Sequence, residues 1–382
     1  MEENALKLGR YLLLPPFGDE LMSSWIARNA MFYGMKPSQL TTLLFDDWNV
    51  WKADVDVYLR KEYLDKLPAM TGIPASRMNK LPLHADCEHF YSANEGFKQV
   101  KWVMPMGTRS PNAKGFGLQY CPCCLVEDDE WPYFRKKWRL AFFTECPDHG
   151  VQLHDRCPDC GTKVSYRMPQ KWLNEWIYHH HDMVNCSHCG FDLRETPYTI
   201  SHHKLREINM WHRNLYTLGW GKAGNQNFLY SNLYFEGLKR LLAFLVCSPK
   251  AIKLWNHLCE QLGIPEEQAN IQRVRQSEIE HREIEIRRTG LLVAHYLLED
   301  WPNRFIHACK TTGTSRHEFY TPRFEFPFWF GRVLDFELRE DEYHHSDEER
   351  EAMRSYVERR IGRGVQDHEI ARFISKLFVS KS

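Results

Sequence analysis

Four pairs of metal-type donors, each with two residues between its members, constrain this chain more than any other feature. They are Cys121/Cys124, Cys146/His149, Cys157/Cys160 and Cys186/Cys189. Such a pair presents two ligand atoms on one side of a tight turn. Zinc asks for four in a tetrahedron, so each pair must meet a second pair through the fold. Pro122, Pro147 and Pro158 directly follow a ligand, and Gly150, Gly161 and Gly190 directly follow the second ligand of a pair. Both residue types suit knuckle turns. The simplest assignment is two structural Zn2+ ions in consecutive sites. Cys121, Cys124, Cys146 and His149 form the first, and Cys157, Cys160, Cys186 and Cys189 the second. The intervening segments 125–145 and 161–185 are similar in length, as expected of tandem related modules. An interleaved arrangement, first pair with third, is the alternative.

Catalytic zinc keeps a coordination position open, whereas these sets are closed by four protein ligands. A deaminase-type Pro-Cys-x-x-Cys fails, because Val126 stands where Pro122-Cys123 would need its second cysteine. Cys123 is then a spare thiol. His179, His180, His181 and His188 read as loop histidines, and "HADCEH" (84–89) as a surface loop. No P-loop, dinucleotide fingerprint or nucleophile elbow occurs, so the expected role is not enzymatic.

Disulfides do not account for twelve cysteines if the chain is cytoplasmic, and that is the expectation. The opening "MEENALKLGRYLLLPP" is a poor secretory segment, and "LLAFLVC" (241–247) falls far short of a membrane span. A length of 382 residues implies two or three domains. The 50 basic and 50 acidic side chains cancel, so bulk charge does not announce a nucleic-acid binder.

Local charge does raise that reading. "WPYFRKKWRLAFF" (131–143) interleaves aromatic residues with Arg135, Lys136, Lys137 and Arg139. Trp131, Tyr133, Phe134 and Trp138 can build a small core, leaving the cations as a platform for phosphates. Arg109 and Lys114 of the loop "GTRSPNAKGFG" (107–117) would join them. The competing reading is a solvated face balanced by Glu127, Asp128, Asp129 and Glu130.

Near the N-terminus, 18–48 reads as two short helices around Gly34. Ala30 sits at their contact and Leu40 anchors the second, the spacing of a helix-turn-helix or of any antiparallel hairpin. Lys36, Ser38 and Gln39 would lie at the start of a recognition helix. Beyond residue 200 the chain reads as mostly helical. The charge run 278–288 reads as a solvated, salt-bridged helix. A break at Gly362-Arg363-Gly364 permits a second helix-turn-helix or a plain terminal hairpin. The fold expected is mainly α and multi-domain. A helix-turn-helix-like N-terminal domain spans 1–105, tandem zinc modules 106–200, and a helical C-terminal domain 201–382.

The run "GLQYCPCCLVEDDEWPYFRKKWRLAFFTECPDHGVQLHDRCPDCG" (117–161) resembles the core motif of the TniQ/TnsD family, and "DELMSSWIAR" (19–28) resembles that family's N-terminal end. The resemblance covers roughly the first half of the chain. It implies a non-enzymatic target-selection protein of bacterial DNA transposons, one that recruits an AAA+ ATPase regulator. Some members bind double-stranded attachment-site DNA, whereas others dock on a CRISPR effector carrying a guide RNA. The family's zinc ligands fall here on the eight residues of the two sets above. Two readings follow: a direct DNA reader, or an adaptor, able to act as a homodimer, that touches the effector and the ATPase and reads little DNA.

Overall fold

A computed structural model describes residues 12–45, 50–52, 54–83, 85, 101–106, 117–165, 183–273, 278–319, 326–338 and 347–362. Residues up to 338 form one compact unit, and 339–382 form another. The chain is mainly helical. Within the first unit the longer helices are α1 (Met22–Phe32), α2 (Pro37–Phe45), α3 (Lys61–Thr71), α4 (Pro122–Glu127), α5 (His203–Leu218), α6 (Ser231–Leu242), α7 (Ile252–Gln261), α8 (Ile284–Glu299), α9 (Asn303–Thr312) and α10 (Phe328–Phe336). A hairpin of β1 (Gly221–Ala223) and β2 (Gln226–Phe228) pairs antiparallel, with Lys222 opposite Asn227.

Helix α1 is buried along almost its whole length, including Ser23, Ser24, Arg28 and Asn29. Polar groups at such depth need partners, and they have them. Asn29 accepts from the Leu14 amide (2.7 Å) and donates to the Trp25 carbonyl (2.9 Å), while the Trp25 indole donates to the Leu14 carbonyl (2.8 Å). Arg28 donates to Glu20 (2.7 Å) and to the Pro15 carbonyl (3.0 Å). The extended segment 12–17 is thereby laced onto α1. After α1 the chain turns through Gly34, whose φ of +62° favours glycine, and the Met35 amide closes the turn on the Ala30 carbonyl (2.9 Å). Ala30 and Leu40 are fully buried between α1 and α2. The two helices, the turn and both contact residues are as the sequence predicts, although a helical hairpin of this kind does not establish a DNA-reading helix-turn-helix.

Segment 17–24 pairs with the stretch that follows the first cysteine pair. The Leu21 amide donates to the Phe134 carbonyl (3.0 Å), the Lys136 amide to the Asp19 carbonyl (2.8 Å), and the Phe134 amide to Ser24 Oγ (2.9 Å). Helix α8 then docks behind the cysteine-bearing segment. Its first-turn Ile284 amide donates to Asp155 (2.9 Å), and Arg288 pairs with Glu145 (2.7 Å). The wholly buried Arg287 donates to the Ala141 carbonyl and to Gln119, both at 2.9 Å. The run 278–288 is therefore not a solvated helix. Glu280, Arg282 and Arg287 are buried, and α8 begins only at Ile284. Farther on, Trp301, Phe305, Phe319 and Phe330 pack edge to face as an aromatic core. In the second unit, α11 (Asp347–Ile361) carries Arg360 over Tyr356 at 5.5 Å. The second helix-turn-helix expected across Gly364 lies outside the described residues.

Candidate metal centres

Each cysteine pair is shaped by its own backbone before any ion is considered. In three of them the amide of the first ligand donates to the carbonyl five residues on: Cys146 to Val151 (2.7 Å), Cys157 to Thr162 (2.8 Å) and Cys186 to Phe191 (2.8 Å). The glycine after the second ligand donates back to the first ligand's carbonyl, at 2.9, 3.0 and 2.9 Å for Gly150, Gly161 and Gly190. Those glycines have φ of +65°, +67° and +83°. A side chain is strained there, which is why glycine recurs at that position. The first pair is built differently. Cys121 is the N-cap of α4, Pro122 opens that helix, and Cys124 lies one turn on.

The fold gathers these pairs consecutively, not interleaved. Cys121, Cys124, Cys146 and His149 form one cluster, and Cys157, Cys160, Cys186 and Cys189 another. In the first cluster His149 Nδ1 stands 3.6, 3.3 and 3.5 Å from the sulfurs of Cys121, Cys124 and Cys146, and Cys124 and Cys146 are 3.6 Å apart. In the second, Cys157–Cys189 and Cys160–Cys186 are 3.6 and 3.7 Å apart. A disulfide needs about 2.05 Å. Zinc–sulfur bonds of about 2.3 Å in a tetrahedron place sulfurs about 3.8 Å apart. The donor sets therefore fit zinc and not disulfides.

Glu127 supplies a feature that spacing did not reveal. Its Oε1 lies 2.8 Å from His149 Nε2. A carboxylate on the far nitrogen holds the ring with Nδ1 turned to the sulfurs. Its only sequence signal is its place one turn beyond Cys124. Cys123, the spare thiol, stays half-buried, and His188 is exposed beside the second cluster.

The expected cationic platform is corrected. Arg139 is 0% exposed, Lys136 1% and Arg135 8%. Arg139 donates to Asp56 (2.6 Å), to Asp54 (2.5 Å) and to the Met104 carbonyl (2.7 Å). Asp56 in turn accepts from the Ser23 amide and hydroxyl, both at 2.7 Å, at the start of α1. Arg135 forms a two-pronged pair with Asp128 (2.7 and 3.0 Å) and lies over the Tyr133 ring. Lys136 donates to the Lys80 carbonyl. Lys137 pairs with Asp148 at 2.6 Å. The reason is packing: Phe134 and Trp138 are buried as expected, and the neighbouring cations turn to partners within the protein, Arg135 and Lys137 to nearby carboxylates, Lys136 to a backbone carbonyl and Arg139 to carboxylates remote in sequence. Of the other residues expected to face nucleic acid, Ser38 and Gln39 are exposed and Lys36 is half-buried. Gln39 Oε1 accepts from the Lys36 amide (2.8 Å), closing the start of α2. Arg109, Lys114, His179, His180 and His181 lie outside the described residues.

Two other buried groups set the electrostatics behind the clusters. His212 Nδ1 donates to the Phe142 carbonyl (2.9 Å), which leaves Nε2 of the neutral ring to accept from the Tyr234 hydroxyl (3.0 Å). Burial pulls its pKa down to about 3. Burial likewise pulls Arg287 down to about 10.

Against known proteins, residues 12–153 match the TniQ family model. No curated protein matches the chain. The matched span lies within the larger compact unit that runs to residue 338. It opens at Leu12, whose carbonyl accepts from the Tyr33 hydroxyl (2.7 Å), and closes at Leu153, whose amide donates to Thr144 (2.9 Å). It contains the whole Cys₃His cluster, whereas the Cys₄ cluster lies beyond it. On this match, residues 12–153 are similar to the TniQ family.

Proposed function

We propose that this protein selects the insertion site for a bacterial DNA transposon, as a non-enzymatic adaptor that recruits an AAA+ ATPase regulator. The match of residues 12–153 to the TniQ family is the observation that carries this reading, since it fits a transposition-associated role. Two Zn2+ ions, held by Cys121, Cys124, Cys146 and His149 and by Cys157, Cys160, Cys186 and Cys189, would supply folding energy and not chemistry. The protein's own residues do the rest: Arg139, Asp56 and Ser23 fasten the first cluster to α1, and Arg287 and Arg288 fasten α8 behind it.

Direct contact with double-stranded DNA is assigned to the N-terminal helices and not to residues 135–139. Ser38 and Gln39 are exposed there, and so are Lys61, Lys66, Arg77 and Lys80 around α3 and the short helix Ala75–Met78. Binding of duplex DNA by the zinc-loaded protein across a salt series tests this. Affinity that falls steeply with salt, and falls further when Lys61, Lys66, Arg77 and Lys80 are changed together to glutamate, supports the assignment. No binding at low salt would reject it. The second reading, an adaptor docked on a CRISPR effector ribonucleoprotein, is favoured by the burial of the central cations and by the zero net charge. It predicts capture by the effector complex with little affinity for free duplex.

A further inference from the structure

Helices α5 and α8 bring together a third group of metal-type donors, apart from the cysteine clusters. Glu207 comes from α5, and His295 and Glu299 lie four residues apart on one face of α8. One ligand atom from each lies within 4.8 Å of the others. Glu207 Oε2 is 3.5 Å from His295 Nε2, and Glu299 Oε1 is 3.7 Å from Nδ1. The imidazole is 2% exposed and stacks on Trp211, with centroids 4.3 Å apart and planes at 12°, so its orientation is held. Yet among the described residues neither ring nitrogen has a well-aligned hydrogen bond, with Glu207 at 3.5 Å making at most a weak one to Nε2. A buried polar atom left in that state is costly and asks for an explanation.

We propose that Glu207, His295 and Glu299 form a third metal site, for a divalent transition cation of the zinc type. One imidazole nitrogen with two carboxylate oxygens suits such an ion, whereas magnesium and calcium prefer oxygen alone. Bonds of about 2.0–2.1 Å in a tetrahedron set donors about 3.3 Å apart. Nε2 is the ligating nitrogen: its separation of 3.5 Å from Glu207 needs little closure, and Glu299, whose Oε1 faces Nδ1, joins by swinging its partly exposed side chain to the Nε2 side. Two cations stand nearby. Arg304 binds Glu299 Oε2 at 2.5 Å, which leaves Oε1 toward the ring, and Lys204 acts on His295 from α5. The bound ion clips α5 to α8. Because both carboxylates reach solvent, water can complete the coordination and the ion exchanges faster than in the closed cysteine sites. This inference stands independently of the target-selection reading.

The test is titration of full-length protein, dialysed to its two tightly held zinc ions, with Co2+ alone. The expected result is one further equivalent. Its weak visible absorption should lack the thiolate-to-cobalt charge-transfer band that exchange into a cysteine cluster would give. His295→Gln and Glu207→Gln should each weaken that equivalent more than tenfold while keeping two zinc ions and the native circular dichroism. Glu207 is half-exposed, so its variant carries the test should His295→Gln not fold. No further equivalent in the wild type, or one of unchanged affinity in a folded variant, overturns the proposal.

Discussion

Replacing Arg139 by methionine should destabilise the protein by about 3–5 kcal/mol, the usual cost of removing one member of a buried ion pair. The structure explains why the loss belongs at that end of the scale. Arg139 and Asp56 are both 0% exposed in their side chains, and Arg139 alone among the described residues brings a cation to Asp56. Without it, Asp56 keeps, among the described residues, the two Ser23 donors. Asp54 lies nearer the surface, with its side chain 12% exposed, and can recover some water. Changing Asp56 to asparagine as well removes the stranded charge, so the double variant should regain roughly 1–3 kcal/mol relative to the sum of the single changes. Urea unfolding at fixed zinc concentration measures all four corners of this cycle. A loss below about 1 kcal/mol for Arg139→Met would mean that the pair behaves as an exposed one. Water would then reach the guanidinium, and Arg139 would again be available for phosphate.

Three other outcomes follow from the same geometry. Cys157→Ser should lower tightly held zinc from two ions per chain to one by elemental analysis and should expose the second module to protease, whereas unchanged zinc content would dissolve that cluster as a site. Gly161→Ala forces a side chain into a φ of +67° with no neighbour to clash, so it should weaken zinc retention against a chelator by the ~1–2 kcal/mol of left-handed strain; Gly161→Asn should cost less. His212, neutral and buried, has a folded pKa near 3 against 6.5 unfolded, so the unfolded chain binds the extra proton between those values. Its contribution is intact above pH 6.5 and is lost by up to about 1.4 kcal/mol per unit as pH falls toward 3. The stability difference between wild type and His212→Gln should shrink over pH 6.5 to 5, and a constant difference would count against a buried neutral imidazole.

The metal donors were legible in the sequence because their grammar is local. A ligand, two residues, a ligand and a glycine define a knuckle without reference to the rest of the chain, and Gly150, Gly161 and Gly190 mark three of the four turns. The order of pairing was not written in that grammar, since spacing alone permits the interleaved arrangement. The hairpin of α1 and α2 was also readable, from Ala30, Gly34 and Leu40. Arginine and lysine were misread for a physical reason: composition shows a cation but not the carboxylate that meets it. Arg139 finds its partners 83 and 85 residues away, and Arg287 reaches a glutamine 168 residues away. The same distance hid the approach of Glu207 to His295, two residues that carry no shared motif.

The proposed role, choosing where a transposon inserts, has a direct readout. Mapping insertion sites in a reaction with the transposase and AAA+ regulator of the same element, with and without this protein, tests it most directly. Insertions should concentrate at defined positions when the protein is present. Cys121→Ser, which breaks the cluster inside the span that matches the TniQ family, should disperse or abolish them. An insertion pattern that is the same with the protein, without it and with the variant would contradict the account.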